Sequence, residues 1–317
     1  MSADSSPPAA KCPSCFSQDW TECVGGDDSY KLFACTTCGC GRVLRIGGRP
    51  PEYDDFYSAG TARRLAGPFD TLWRLKRRSR AALIARFAPE GARICDVGCE
   101  RGELLNALKE TGCRVVGTQM SRPAAEYARR TFGIDVVLGE LPDAPFAHDR
   151  FDAVLFLNVL EHLPDPDTYV RQAAQMLAPG GRVWVEVPNA GSFTAKLTRK
   201  NWLHHDPENH LWAFDVTTMT KLIERHGIEV EEIYAHSWEF APIGCVQSWL
   251  NWLPGRKNVV FDVVRRGFSR QFRLVVEEVA HVILAGIALP AALAVSAIEG
   301  LRNNGQVVLI RGRRLAS

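Results

Sequence analysis

The sequence carries almost no excess of charge: 38 Lys and Arg stand against 36 Asp and Glu, a formal net charge of +2. No overall field draws such a chain toward nucleic acid. It lacks any sustained period, which excludes collagen-like and coiled-coil classes. Nor does it have the low apolar content of a disordered chain, since 46% of its residues are hydrophobic. Met1 to Ala10 is polar and proline-containing, without a charged-then-apolar leader, so a cytoplasmic location is expected. What remains is a soluble chain of 317 residues, long enough for one large domain or a medium domain with appendages.

Cysteine is present and unevenly placed. Six of the ten lie in the first forty residues; Cys95, Cys99, Cys113 and Cys245 are scattered. Cys12-Pro13-Ser14-Cys15 is followed, after nineteen residues, by Cys35-Thr36-Thr37-Cys38. Each CxxC pair offers two thiolates from one tight turn, and two turns close a tetrahedron around Zn²⁺. Cys12, Cys15, Cys35 and Cys38 are therefore expected to hold a structural zinc, with a redox pair or unligated thiols as the alternatives. Cys23 and Cys40 are surplus, although Cys40 could replace a neighbour. So short a ribbon lies below the ~40 residues at which an apolar core alone suffices, so metal would hold it together.

Beyond a helix expected over 71–88, short apolar runs alternate with helical stretches. Strands are expected at Arg93–Gly98, Arg114–Thr118, Asp135–Leu138, Phe151–Leu157 and Arg182–Val187, with helices at Gly102–Thr111, Ser121–Phe132 and Asp165–Leu177. The last of these should stop at the breaker cluster Pro179-Gly180-Gly181. Such alternation implies a parallel, doubly wound sheet that binds ligands at the carboxyl ends of its strands.

Asp96-Val97-Gly98-Cys99-Glu100-Arg101-Gly102 resembles the first motif of class I S-adenosylmethionine-dependent methyltransferases, usually Asp-x-Gly-x-Gly-x-Gly. Phe151-Asp152-Ala153-Val154, Asn158-Val159-Leu160-Glu161-His162-Leu163 and Leu177-Ala178-Pro179-Gly180-Gly181 resemble later motifs of that family, in order, over about 90–238. One glycine-rich turn would be weak evidence; four matches in order are strong. The ribbon, the aromatic residues Tyr53, Phe56 and Tyr57, and Pro207–Phe214 are similar to a bacterial subgroup acting on sugars, polysaccharides and natural products. The Glu-His-Leu loop also resembles quinone-ring O-methyltransferases. The resemblance implies a Rossmann-like methyltransferase core over 91–238. Around it are expected a zinc ribbon (1–50), a helical linker (51–90), an apolar helical insertion (239–304) and a final strand with a basic tail (305–317).

The resemblance further implies a donor site of Asp96, Gly98, Cys99, Glu100, Gly102, Gln119, Met120, Glu140, Leu141 and Asn158. Two positions depart from the family. Gln119, 23 residues after Asp96, stands where an acidic residue meets the ribose, a loss of about 1 kcal/mol. Glu100 stands where glycine is usual, and positive φ there would cost about 1 kcal/mol. On the acceptor side, His162 is the first candidate general base and His210 the second, the alternative being a loop brace. The quinone-ring resemblance adds a third role, in which Glu161 and His162 help hold a divalent cation. His204 and His205, with Trp202 and Trp212, lie where this fold places its substrate lid.

Val216–His226 reads as a helix, Glu229–Ala235 as a strand and Gln306–Ile310 as a last antiparallel strand. Between these last two lies Val279–Ile298, twenty residues without a formal charge. The preceding stretch interleaves Arg256, Lys257, Arg265, Arg266, Arg270 and Arg273 with Val259, Phe261, Phe268 and Phe272. Three dispositions stay open for 256–298: a buried cap or homodimer helix, peripheral membrane contact, or a span. The expected function is methylation of a small or lipid-linked acceptor, a sugar or natural-product hydroxyl first. An RNA methyltransferase is the runner-up, because residues 61–88 hold eight Lys or Arg against Asp70. Nucleic acid is nonetheless disfavoured, since the Asn-Val-Leu-Glu-His loop lacks the Asn/Asp-Pro-Pro-aromatic pattern. A non-catalytic cofactor-binding scaffold is the third reading.

Overall fold

A computed structural model describes residues 8, 10–27, 29–46, 68–146, 150–235 and 241–315. The aromatic positions Tyr53, Phe56 and Tyr57 lie outside them. Three antiparallel strands come first, β1 (Trp20–Asp27), β2 (Tyr30–Cys35) and β3 (Gly41–Arg45). Helix α1 (Pro68–Arg86) leads into β4 (Arg93–Val97), α2 (Glu103–Glu110), β5 (Arg114–Gln119), α3 (Arg122–Phe132) and β6 (Asp135–Leu138). Next are β7 (Phe151–Leu157), α4 (Pro166–Met176), β8 (Leu177–Pro188), α5 (Phe193–Thr198), β9 (Trp212–Ala213), α6 (Val216–Glu224) and β10 (Ile228–Tyr234). Helices α7 (Ala241–Leu250), α8 (Val259–Arg266) and α9 (Phe272–Leu301) precede the last strand, β11 (Val307–Arg314).

Local chemistry explains where these elements start. Ser121 caps α3 by accepting from Ala124 N, and Pro123 presets the first turn. Asp165 accepts from Thr168 N at the start of α4, and Asp215 with Thr218 closes a capping box on α6. The strand expected to begin at Arg182 begins earlier, at Leu177. Helix α4 ends at Met176, before the Pro179-Gly180-Gly181 cluster, which instead lies inside β8. There β8 shifts register against β7, from Phe151 opposite Leu177 to Ala153 opposite Arg182. The cluster acts as a bulge.

The seven-stranded sheet runs β10-β11-β8-β7-β4-β5-β6, parallel from β8 to β6, with β11 antiparallel to both its neighbours. The chain winds outward from β4 in both directions, so the topological switch point falls between β4 and β7. Apolar residues on both faces hold it: Ile94, Leu105, Leu108 and Trp184 on one side, Phe151, Phe156, Leu160 and Met176 on the other, all essentially buried. Each such side chain contributes about 1.5–3 kcal/mol of burial.

The N-terminal strands form a second sheet, β1-β2-β3-β9, whose last member comes from the core chain. Arg42 pairs with Trp212 and Gly41 with Ala213. The ribbon is thus stitched to the loop that carries His204, His205 and His210. Helix α1 spends its basic charge internally: Arg77 reaches Glu103 at 3.5 Å, Arg78 reaches Glu110 at 3.8 Å and Arg80 reaches Glu186 at 2.5 Å. That pairing weakens the case for a nucleic-acid face.

Candidate functional site

At the end of β4 the chain turns through Gly98, φ +73°, and Gly102, φ +76°, a backbone conformation that favours glycine. A Cβ on Gly98 would stand 2.8 Å from Val159 Cγ2, and one on Gly102 would stand 2.9 Å from Ala128 Cβ. The first contact puts the loop after β7 directly against the glycine turn. Both Gly98 N and Cys99 N donate to Thr118 O at 3.0 Å, which locks the turn to β5. Cys99 is buried, and Gly117 makes room for it: a Cβ there would stand 2.4 Å from its sulfur. Glu100 adopts φ +49°, so the departure from glycine is accommodated in the left-handed region, at about 1 kcal/mol.

Asp96 is 5% exposed beneath this turn. Burial first, and the charge of Glu100 second, push its carboxyl up to about 8. A buried acid with no cation paired to it among the described residues fits a ligand that carries an ammonium group. Gln119 is buried with its amide committed: Ser121 N donates to Oε1 at 3.1 Å and Nε2 donates to Glu100 O at 3.4 Å. It braces the turn. Met120 beside it is exposed, as an apolar flank for a ring would be. Glu140, at the end of β6, accepts from the Tyr169 hydroxyl. Leu141 is wholly buried, so its side chain belongs to the core and only its backbone is placed to meet a ligand.

Asn158 ends β7 at φ +57° and donates through Nδ2 to Glu186 Oε1 at 3.0 Å. Glu186 also receives Arg80. Burial raises its carboxyl, but the charges of Arg80 and Lys76 with the hydrogen bonds from Arg80 and Asn158 outweigh that, and it falls below its ordinary value. Arg80 and Glu186 were not foreseen from the sequence. The available signal was a lone acid in the apolar run Trp184-Val185-Glu186-Val187.

The short turn Leu160–His162 follows. Glu161, His162 and His210 bring one donor atom each within 4.8 Å of one another. Glu161 is 2% exposed, and among the described residues neither carboxylate oxygen has a hydrogen-bond partner. Its carboxyl rises to about 8, chiefly through burial. His162 Nδ1 lies 3.1 Å from Asn209 O. A carbonyl only accepts, so Nδ1 carries the proton and Nε2 presents its lone pair, 4.0 Å from Glu161 Oε1. Burial lowers His162, and burial with the neighbouring His162 lowers His210 to about 3. Their rings meet edge-to-face at 4.7 Å. Both imidazoles are therefore neutral at ordinary pH, available as a base or as ligands. His204 is lowered to about 4, mainly by burial, and lies against Trp202; His205 Nε2 meets the Tyr30 hydroxyl at 2.9 Å.

The four ribbon thiols are likewise brought within 4.8 Å, Cys12 and Cys38 at 3.4 Å and Cys15 and Cys35 at 3.4 Å. Two matching turns present them, with Phe16 N donating to Cys12 O and Gly39 N to Cys35 O, both at 2.8 Å. The left-handed residue is Phe16 in one turn and Gly39 in the other. The Phe16 ring takes the Arg225 guanidinium at 3.5 Å, a contact that glycine could not make. Crowding by Cys40, then burial, pushes Cys12 up; Cys35 falls to about 7 because backbone amides of Cys38 and Thr37 outweigh its burial. Trp212 carries the ribbon to the acceptor loop: Arg42 covers its ring at 4.3 Å, its Nε1 donates to Leu163 O at 2.8 Å, and Leu211 N donates to Glu161 O at 2.7 Å.

A family model described as a methyltransferase domain matches residues 72–233, about half of the chain. Among curated relatives, the ubiquinone biosynthesis O-methyltransferase of Alkalilimnicola ehrlichii is 38% identical over 102 residues, covering 30% of this chain and 40% of the relative. That of Xanthomonas axonopodis pv. citri is 32% identical over 111 residues, covering 33% and 46%. The chain thus spans under half the length of these relatives. Among solved structures, a chain of the complex between the Haloferax volcanii Trm112 methyltransferase activator and a methyltransferase superposes with a TM-score of 0.51 at 19% identity. That match covers 85% of this chain and all of the other, and bears on the fold alone.

Proposed function

The chain belongs to the class I S-adenosylmethionine-dependent methyltransferases, and from that premise we propose that it methylates a hydroxyl of a small or lipid-linked acceptor, a sugar or natural-product hydroxyl first. The observation that carries this reading is the position of His162. It lies in the loop after β7 with its Nε2 lone pair 4.0 Å from Glu161 Oε1, three residues from Val159, whose side chain lies against the glycine turn. Bound there, the donor supplies an electrophilic methyl on a sulfonium. The Gly98–Gly102 backbone would let it approach, Asp96 would hold its ammonium, and Met120 and Glu140 would flank its adenosine. His162 Nε2 takes the hydroxyl proton as oxygen attacks, and the Asn209 carbonyl holds the ring in the required tautomer. His210 packs edge-to-face against that ring, and burial keeps His162 neutral until it takes the proton. The oxygen-directed activity named for the ubiquinone biosynthesis relatives supports a hydroxyl acceptor.

A second reading of the same cluster is favoured by the two unpartnered oxygens of Glu161. With two neutral imidazoles, they form a donor set that suits a divalent cation. Bound there, it would lower the pKa of a coordinated hydroxyl and hold a diol. In the ribbon, Cys12, Cys15, Cys35 and Cys38 suit a structural zinc, because four thiols leave no open ligand position. The test is turnover of labelled donor against soluble and lipid fractions of cell extract, followed by mass spectrometry of the product. A methylated oxygen supports the proposal. Labelled RNA as the sole product would overturn it.

A further inference from the structure

Helix α9 is inside out. Over its 30 residues the side chains turned into the protein include Glu278, His281, Ser296 and Glu299, while Val279, Ile283, Ile287, Leu293 and Ile298 face outward. Ile287 is 73% exposed and Phe272 81%. The inward polar groups are held: Ser269 N donates to Glu278 Oε2 at 2.7 Å, Arg256 reaches Glu278 at 3.3 Å, and Thr194 N donates to Glu299 Oε1 at 2.7 Å. A surface helix in water shows the opposite pattern. At 100° per residue the outward apolar arc covers about 220° of the circumference, along about 45 Å of axis.

We infer that this outward face of α9 is the surface by which the protein lies on an anionic lipid bilayer. The breadth of the arc favours lipid over a second copy, because a packed helix covers a stripe of roughly 100° whereas a bilayer surface can accept the whole arc. Charge is complementary as well. Between Arg256 and Arg273 the sequence holds six Lys or Arg against one acid, Asp262; Arg256 is engaged by Glu277 and Glu278 and Lys257 by Asn201, while Arg270 and Arg273 are exposed. The exposed Trp252, Phe268 and Phe272 stand with them at the same end, as aromatic side chains do at a headgroup boundary. By length and composition α9 could cross a membrane, and 17% of its apolar window is buried. A crossing is excluded by connectivity: β10 and β11, on either side of the helical insertion, pair with each other in one sheet, so the chain enters and leaves on one side.

The surface adjoins the acceptor side of the site. Leu203 N donates to Ser248 Oγ at 3.0 Å, Asn251 Nδ2 donates to Asn201 O at 3.0 Å, and Gln306 Oε1 accepts from Trp202 Nε1 at 3.3 Å. The helical insertion is thereby tied to the loop that carries His204, His205 and His210. A protein resting on α9 would hold that loop beside the headgroups, where a lipid-linked acceptor presents its polar end. The surface assignment itself stands apart from the acceptor, because it is tested without donor or acceptor.

The experiment is flotation of the full chain with phosphatidylcholine vesicles, with and without phosphatidylglycerol, while donor binding is measured by calorimetry on the same preparation. Flotation with the anionic vesicles, weakened by salt, is expected. The double variant Ile283→Glu, Ile287→Glu should lower partitioning about a hundredfold with its melting temperature and donor affinity retained. Arg270→Glu with Arg273→Glu should remove the preference for the anionic lipid. Absence of flotation by folded, donor-binding protein would overturn the inference. So would a dimer in sedimentation velocity that the isoleucine substitutions dissolve without any vesicle binding, or a membrane fraction resistant to alkaline carbonate, which would mean a span.

Discussion

Asp96 makes the donor site testable through stability. In the ligand-free protein its carboxyl titrates at about 8, through burial and then Glu100. Unfolded, it titrates near the ordinary aspartate value of 3.8. Between those values the folded state keeps a proton that the unfolded chain has released. Stability therefore falls as pH rises, by about 1.4 kcal/mol for each unit. Over the interval from 3.8 to pH 7 the loss reaches about 4 kcal/mol. Asp96→Asn keeps the shape and removes the ionisation. It should raise the stability of ligand-free protein by up to about 4 kcal/mol near pH 7, and by almost nothing near pH 4. Glu100→Gln should recover the smaller part that comes from its charge. Donor binding reverses the linkage, because an ammonium beside Asp96 favours the carboxylate, so below about pH 8 binding should release a proton. Urea unfolding of parent and variant across that pH range reads the first effect. Calorimetry in two buffers of different ionisation heat reads the second. Parallel stability curves for parent and Asp96→Asn would refute the argument, since they would mean that the buried carboxyl is already ionised without a ligand.

His162→Ala is expected to lower turnover by about 10²–10⁴-fold with donor affinity nearly unchanged; equal losses in both would assign the residue to the donor site. Cys12→Ser should abolish one equivalent of zinc by elemental analysis and loosen the β3–β9 pairing, so that turnover falls while donor binding persists; a metal-free parent would sink the zinc assignment. Gly98→Ala combines positive φ with a 2.8 Å approach to Val159, and should weaken donor binding more than it lowers the melting temperature. An unchanged binding constant for that variant would show that the turn does not approach the donor.

Much of the scaffold was legible because its signals are local. The glycine turn, the helix start at Ser121 and the spacing of apolar runs each act over a few residues, and the structure places each where the pattern put it. The Pro179-Gly180-Gly181 cluster misled because the same residues that stop a helix also make a bulge, and only pairing with β7 chooses between them.

The sequence by itself determined the alternation of strands and helices, the two CxxC turns and the positions of Asp96, Glu161 and His162, because side-chain type and spacing suffice for each. Tertiary structure alone decided the rest. Trp212 joins the ribbon sheet from 167 residues beyond Arg45, and no local pattern encodes a partner at that distance. Gln119 faces Ser121 and Glu100, a direction set by the packing of the turn. Arg77, Arg78 and Arg80 of α1 are paired with Glu103, Glu110 and Glu186, which belong to separate elements. The uncharged run in α9 leaves a buried helix, a membrane contact and a span all open by composition. Its environment follows from which face meets α7 and the Thr194 turn, and those partners take the polar residues and leave the apolar ones outside.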